Sequence, residues 1–201
     1  MLFRSDPSAL HELIPVWDKE RYAISCGSEA AAWASDFLAT ECRIVQTLSP
    51  RGESRMGPRG TVRAGFADGF PALVVSTASL DDLNARLELP VPMDRFRPNV
   101  VVEGVEAFAE DGWDRYRLGA LTAVSRKKCI RCAITTTDQE TAVRGVEPLR
   151  TLATYRRVPD GEVAFGMNVG FEGAGTLRVG DPVEWSRSEE HTSELQSRGL
   201  I

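Results

Sequence analysis

The sequence predicts a mainly β protein with a few short helices, arranged as a closed or partly closed β architecture. Three observations carry that expectation. Short runs rich in β-branched and apolar residues recur along the chain, as in CRIVQTL, ALVVSTA and CAITTTD. Gly, Pro, Asn and Asp punctuate the intervals between them. Helix-start signals are few.

Taken in order, residues 1–22 carry Pro7, Pro15 and scattered charge and show no clear element. Ser28 followed by EAAAWASDFLA reads as an N-cap and a helix over roughly 28–39. CRIVQTL from Cys42 alternates like a strand, and residues 49–64, rich in Gly, Pro and Arg, read as an exposed loop. ALVVSTA over 72–78 is a short buried strand leading into Ser79-Leu-Asp-Asp82, a capping-box-like start to a helix ending near Leu87. FRPNVVVEGV is a strand with Pro98 near its entry, and RYRLGALTAVSR is a pair of strands hinged at Gly119. CAITTTD continues as a strand on its β-branched residues. Glu147-Pro148 opens a helix to about Tyr155, and VAFGMNVGFEGAGTLRVGDPVEW holds short strands broken by glycines. Trp113 and Tyr116 read as packing residues.

The chain has 201 residues, 42% hydrophobic and 26% charged, enough to bury a real core. A net charge of −5 argues against a nucleic-acid-coating surface, although a small basic pocket for a phosphorylated ligand is compatible with it. No apolar run is long enough for a membrane helix, and MLFRSDPSALHELIPVW lacks a signal-peptide layout, so a cytoplasmic location without membrane contact is the expectation. Cys26, Cys42, Cys129 and Cys132 are too few for a disulfide scaffold. With only His11 and His191 present, histidine-centred nucleophilic catalysis has little to rest on.

Cys129-Ile-Arg-Cys132 is the segment that carries chemistry. A redox dithiol would place its first cysteine at a helix N-terminus, whereas this pair runs into a strand-forming Ala-Ile-Thr-Thr-Thr. A zinc site would need two further ligands, and Cys26 and Cys42 do not form a second such pair. Two packed core thiols are the plain alternative. A thiolate donating to a soft, high-valent metal carried by an organic cofactor is the fourth, and Arg126, Lys127, Lys128 and Arg131 would favour the deprotonated sulfur. Spacing alone leaves all four open.

Six segments, SCGSEAAAWASDFL, VVSTASLDDLNARL, DRFRPNVVVEG, FAEDGWDRYRLG, CIRCAITTTDQETAVRGVEPLRTLATYR and FGMNVGFEGAGTLRVGDPV, resemble the MOSC family in the family's order. MOSC is the domain of molybdenum-cofactor sulfurase C-terminal regions, and the pattern is most like amidoxime-reducing components and bacterial YcbX-type proteins. The resemblance implies a MOSC β-barrel-like domain over residues 51–186, preceded over residues 1–50 by the remnant of a β-rich N-terminal domain. It implies a molybdenum-molybdopterin cofactor, with Cys132 as the catalytic metal ligand and Cys129 in a supporting place. Arg97 would grip the cofactor's phosphate, for which a guanidinium fork is suited. Asn99, two residues on in the expected strand, would share its face. Gly69, Phe70, Ile130, Arg131 and Asn168 complete the implied cofactor contacts. The implied function is reduction of small N-hydroxylated compounds such as amidoximes and hydroxylamines. Electrons would come from a separate donor protein of iron–sulfur or cytochrome type. A non-catalytic carrier of the cofactor or of sulfur is the alternative. Bacterial origin and pyridoxal phosphate binding are further associations of the resemblance.

Both ends depart from the pattern. Residues 187–201, containing RSEEHTSELQS, resemble the conceptual translation of a sequencing-adapter oligonucleotide and are expected to be an artefact. An upstream portion, with further groups for the cofactor, is expected to be missing.

Overall fold

The computed structural model describes residues 11–16, 19–47, 54–57, 60–63, 66–67, 69–185 and 196–199. The chain forms two compact units, one from the described residues of 1–56 and 63–69, the other from those of 57–62 and 70–201.

In the first unit, β1 (His11–Val16), β2 (Lys19–Ser25) and β3 (Val45–Thr47) form an antiparallel sheet in that order, with α1 (Ser28–Leu38) between β2 and β3. The hairpin corrects the expectation that no element lies before residue 22. Along β1 the half-buried positions are Glu12, Ile14 and Val16 while Leu13 is exposed, so the period of two is real but not written in hydrophobicity. The helix cap is Gly27, at φ 89°, with Ser28 as the first helical residue. The stretch expected as loop contains β4 (Ser54–Gly57) and β5 (Gly60–Arg63), paired as a two-stranded sheet. Its glycines punctuate strands instead of excluding them.

The second unit is built on a seven-stranded, nearly closed, barrel-like sheet. It contains β6 (Ala72–Ser76), β7 (Val100–Val102), β8 (Arg115–Leu118), β9 (Leu121–Ile130), β10 (Ala164–Glu172), β11 (Pro182–Trp185) and β12 (Gln196–Gly199), in the order β12-β11-β8-β9-β10-β6-β7. The fold is mainly β, as expected. Only β6 and β7 pair in parallel, which requires the crossover that α2 (Thr77–Asn84) provides. Of the expected artefact tail, only β12 lies within the described residues; its backbone pairs antiparallel with β11.

Every residue of β6 is buried, because this central strand is covered on both faces. Alternation sends Ala72 and Val74 into one cluster with Trp113, Tyr116, Met167 and Val183, and Leu73 and Val75 into another with Phe96, Leu152 and Phe165. Strand β8 shows the simpler rule, with Tyr116 and Leu118 inside and Arg115 and Arg117 outside. In the second cluster the rings of Phe96 and Phe165 lie 4.2 Å apart between centroids.

Several expected boundaries move for physical reasons. The cap of α2 is Ser76, whose Oγ accepts from Ser79 N at 3.1 Å. The Ser79 hydroxyl is buried and donates instead to Glu110 Oε1 at 2.7 Å. Helix α3 is one short turn, Leu149–Leu152, capped by Pro148. The glycines expected to break the last β region leave β10 continuous over nine residues, with register irregularities absorbing the strain.

Gly166 sits inside β10 at φ +80°, and a Cβ there would meet Val75 Cγ2 at 2.7 Å and the Val74 carbonyl oxygen at 2.9 Å. Gly161 has nearly the same φ, +82°, but open space around it. Both Ala variants carry the left-handed penalty of about 1–2 kcal/mol. Gly166→Ala alone adds overpacking, so urea unfolding should find it less stable than Gly161→Ala by about 1–3 kcal/mol. Equal losses would show that the sheet yields at Gly166.

Candidate functional site

The site grows from the pairing of β9 with β10 and of β10 with β6. Register sets Lys127 opposite Asn168 and Asn168 opposite Leu73. Leu73 N donates to Asn99 Oδ1 at 2.9 Å and Asn99 N donates to the Leu73 carbonyl at 3.0 Å. Asn99, Asn168 and Lys127 are thereby held along one row of the sheet. Phe70 joins them, its ring centroid 5.9 Å from Lys127 Nζ. Asn99 Oδ1 has a structural duty here, because it extends the β6–β7 pairing by one residue.

Arg97 and Asn99 do not share a strand face as expected. A 3-10 turn, Met93–Phe96, precedes them, and Arg97 closes it in the left-handed conformation at φ 54°, ψ 48°. Strand β7 begins only at Val100. The turn is fixed by Arg95 N to the Pro92 carbonyl and Arg97 N to the Asp94 carbonyl, and it leaves the Arg97 side chain exposed.

On the other side, β9 runs to Ile130, which is half-buried opposite Ala164, and Arg131 N continues the ladder to the Val163 carbonyl at 2.8 Å. Alternation puts Cys129 and Arg131 on one face and Ile130 and Cys132 on the other. The contacts follow it. Arg131 Nη1 donates to Cys129 Sγ at 3.0 Å and Nη2 to the Phe96 carbonyl at 2.8 Å, while its guanidinium stands 5.5 Å from the Phe96 ring centroid. Cys129 packs half-buried at the margin of the Phe96 cluster, and Cys132 is exposed.

The residues after Cys132, expected as a strand, form a 3-10 turn, Ala133–Thr136, with Cys132 as its cap. The threonines explain the difference. Thr135 Oγ1 donates to the Cys132 carbonyl at 3.0 Å and Thr136 Oγ1 to the Ala133 carbonyl at 2.8 Å, bonds three residues back that close a turn. The dithiol reading is weakened on different ground from the one expected. Cys129 and Ile130 lie in β9 and Arg131 N continues its ladder, so the chain from Cys129 is extended. Three steps of about 3.3 Å place the two Cα atoms about 10 Å apart, beyond the roughly 7 Å that a disulfide bridges.

Arg95, which sequence reasoning passed over, and Asp138, which it met only as the last residue of the cysteine segment's motif, tie the segments together. Arg95 Nη2 meets Asp138 Oδ2 at 2.8 Å. Asp138 Oδ1 accepts from Thr141 N at 2.9 Å and Thr141 Oγ1 at 2.8 Å. These bonds from Thr141, with the nearby Arg95 charge, hold the Asp138 carboxyl below its ordinary range. Gln139 Nε2 donates to the Asp94 carbonyl at 2.8 Å. The basic run of β9 is partly spent elsewhere, since Lys128 Nζ lies 2.9 Å from Asp111 Oδ2, which Arg156 Nη2 also reaches at 2.6 Å. Gly69 is exposed and falls in the first unit. Trp113 and Tyr116 are core residues. No sequence signal pairs Arg95 with Asp138, which lie 43 positions apart.

Among the described residues, no three His, Cys, Asp or Glu side chains gather as a metal cage. Arg95 Nε and Arg131 Nε are buried donors with no acceptor among the described residues, which suits an acceptor-rich ligand beside these turns.

The fold and this segment define a class, and residues 61–184 match the MOSC domain: the chain belongs to the MOSC domain family. Mitochondrial amidoxime-reducing component 1 of Mus musculus is 40% identical over 172 residues, covering 79% of this chain and 51% of that protein. Mitochondrial amidoxime reducing component 2 of Homo sapiens is 39% identical over the same shares. Component 1 of Danio rerio is 34% identical, covering 79% of this chain and 52% of that protein. The chain thus spans about half the length of these curated relatives. Their names overturn the expected cytoplasmic location, since they are mitochondrial proteins. They are also animal proteins, and they lend nothing to bacterial origin or pyridoxal phosphate binding. No helix among the described residues is long and apolar enough to cross a membrane.

With Cys132 exposed and Cys129 held under Arg131, iodoacetamide should label Cys132 well before Cys129, and mild oxidation should yield no bond between them. Mass mapping reads both outcomes; a Cys129–Cys132 disulfide forming ahead of other products would refute the extended geometry.

Proposed function

We propose that this chain is the MOSC part of a molybdenum-dependent reductase of small N-hydroxylated compounds, with a molybdopterin cofactor and Cys132 as its protein ligand. One observation carries the reading most directly. Cys132 is an exposed thiol just past the end of β9, in a chain 40% identical to a protein named for amidoxime reduction. A single protein thiolate suits a metal whose remaining donors arrive on an organic ligand. When bound, the cofactor supplies the oxygen-atom and electron chemistry.

The chain's own residues divide the rest of the work. Arg97, exposed after its turn, offers a fork for the cofactor's phosphate. Asn99, Asn168 and Phe70 line the adjoining row, with Gly69 as a backbone contact. Ile130 and Arg131 flank the ligand cysteine, and Arg131 braces it by filling the opposite face with its contacts to Cys129 and Phe96. The substrate's electrons come from a separate iron–sulfur or cytochrome-type partner, and the relatives support a mitochondrial setting.

The test is elemental analysis of the purified protein together with benzamidoxime reduction. Cys132→Ala should remove molybdenum and activity together, while Cys129→Ala should keep most of the metal and lose activity only in part. Metal-free protein with persulfide on Cys132 would point to a sulfur carrier, and molybdenum retained by Cys132→Ala would defeat the ligand assignment.

A further inference from the structure

We infer that the Arg95–Asp138 pair is a positioning device, setting the Cys132 thiol at a fixed place relative to the Arg97 guanidinium. The inference rests on the reading of those two residues as holders of the cofactor. Arg97 follows Arg95 by two residues on the turn Met93–Phe96, and Cys132 caps the neighbouring turn, which leads to Asp138. Among the described residues, neither the Arg97 nor the Cys132 side chain has a hydrogen-bond or ion-pair partner, so each depends on how its own turn is held. Among the described residues, three contacts hold the turns to each other: Arg95 to Asp138, Gln139 to the Asp94 carbonyl, and Arg131 to the Phe96 carbonyl. Only the first joins two opposite charges.

The pair is asymmetric in a way that assigns the roles. The Arg95 side chain is 10% exposed and that of Asp138 is 40% exposed. Asp138 is also anchored on its own segment, because Oδ1 accepts from Thr141 and from Glu140 N at 3.2 Å. Asp138 is therefore a fixed post, and Arg95 is the arm that brings the Arg97 turn to it. Removing Asp138 would strand a buried guanidinium and threaten folding. Removing the Arg95 charge leaves a carboxylate that water and Thr141 still satisfy. Arg95→Met, similar in length and uncharged, is the informative variant.

The experiment uses the full chain, metal-free and molybdenum-loaded, as wild type, Arg95→Met and Arg95→Lys. In the metal-free protein, Arg95→Met should speed backbone hydrogen exchange in residues 93–97 and 133–141 while β6, β9 and β10 keep their wild-type protection. In the loaded protein, Arg95→Met should weaken molybdenum retention by roughly 10–100-fold, the usual effect of losing a group that orients a metal ligand. Arg95→Lys keeps the charge but not the fork and should recover part of both losses. Unchanged exchange in the two turns would overturn the inference. So would exchange rising equally through the sheet, which marks a merely structural role. Failure of the cofactor reading shows separately, as molybdenum kept by Cys132→Ala.

Discussion

The register of β9 against β10 is the constraint on which the rest of the second unit depends. A slip of one residue turns every side chain of a strand to the opposite face. Here it would bury Cys132 and expose Cys129, and it would take Arg131 away from the Phe96 carbonyl. The register is pinned at both ends. Thr122 stands opposite Glu172 at one end, and beyond Ile130 at the other Arg131 N bonds the Val163 carbonyl. Between them, irregularities after Ala164 and after Asn168 let one strand curve against its neighbours. Gly166, with no room for a Cβ, is what permits the first of these.

The ion pairs sort by burial more than by distance. Arg115 and Glu172 approach to 2.6 Å, but with side chains 65% and 44% exposed, solvent screens the pair. Arg156 and Asp111 meet at the same distance with side chains 12% and 14% exposed, so losing Asp111 would leave the buried Arg156 charge uncompensated, whereas losing Arg156 would leave Asp111 still paired with Lys128. That buried pair, joined by Lys128, fastens the 3-10 turn Ala109–Gly112 to the end of β9 from the face opposite Arg131. The cysteine segment is thus gripped from both faces, and Cys132, just beyond the grip, is the first residue free of it.

Legibility in the sequence followed the range of the forces. Strands β6, β8 and β9 could be read because alternation and continuous apolarity are local consequences of which face is covered. Asn168 and Phe70 entered through resemblance; strand register brings Asn168 into one row with Lys127 and Leu73, which Asn99 bonds, and Phe70 meets that row through Lys127. The run after Cys132 was misread because β-branched propensity argues for a strand, while the hydroxyls of Thr135 and Thr136 satisfy carbonyls three residues back. Propensity describes a residue's bulk, and here hydrogen-bonding capacity decided. Arg97 was misplaced for a related reason: VVV predicts a strand correctly, but the turn before it is fixed by backbone bonds that no residue type announces. The β1–β2 hairpin escaped because its inward positions mix Glu12 with Ile14 and Val16.

The structure also changes what the two cysteines mean to each other. Their spacing invites a dithiol, yet that chemistry needs the sulfurs on one side of a turn. A strand with period two puts residues three apart on opposite faces, so the same four-residue spacing that unites two thiols in a helix separates them here. Separation is useful if one sulfur is to be a donor and the other is not. Cys129 lies under a guanidinium, in contact with the core, where it can brace but not reach a ligand. Cys132 stands in the open at the cap of a turn, with Cys129 on the opposite face and out of position to compete with a metal for it. A lone protein thiolate is too little to hold a metal by itself, so in the proposed function Arg97 would grip the organic part of the cofactor and the sulfur would complete the metal's coordination.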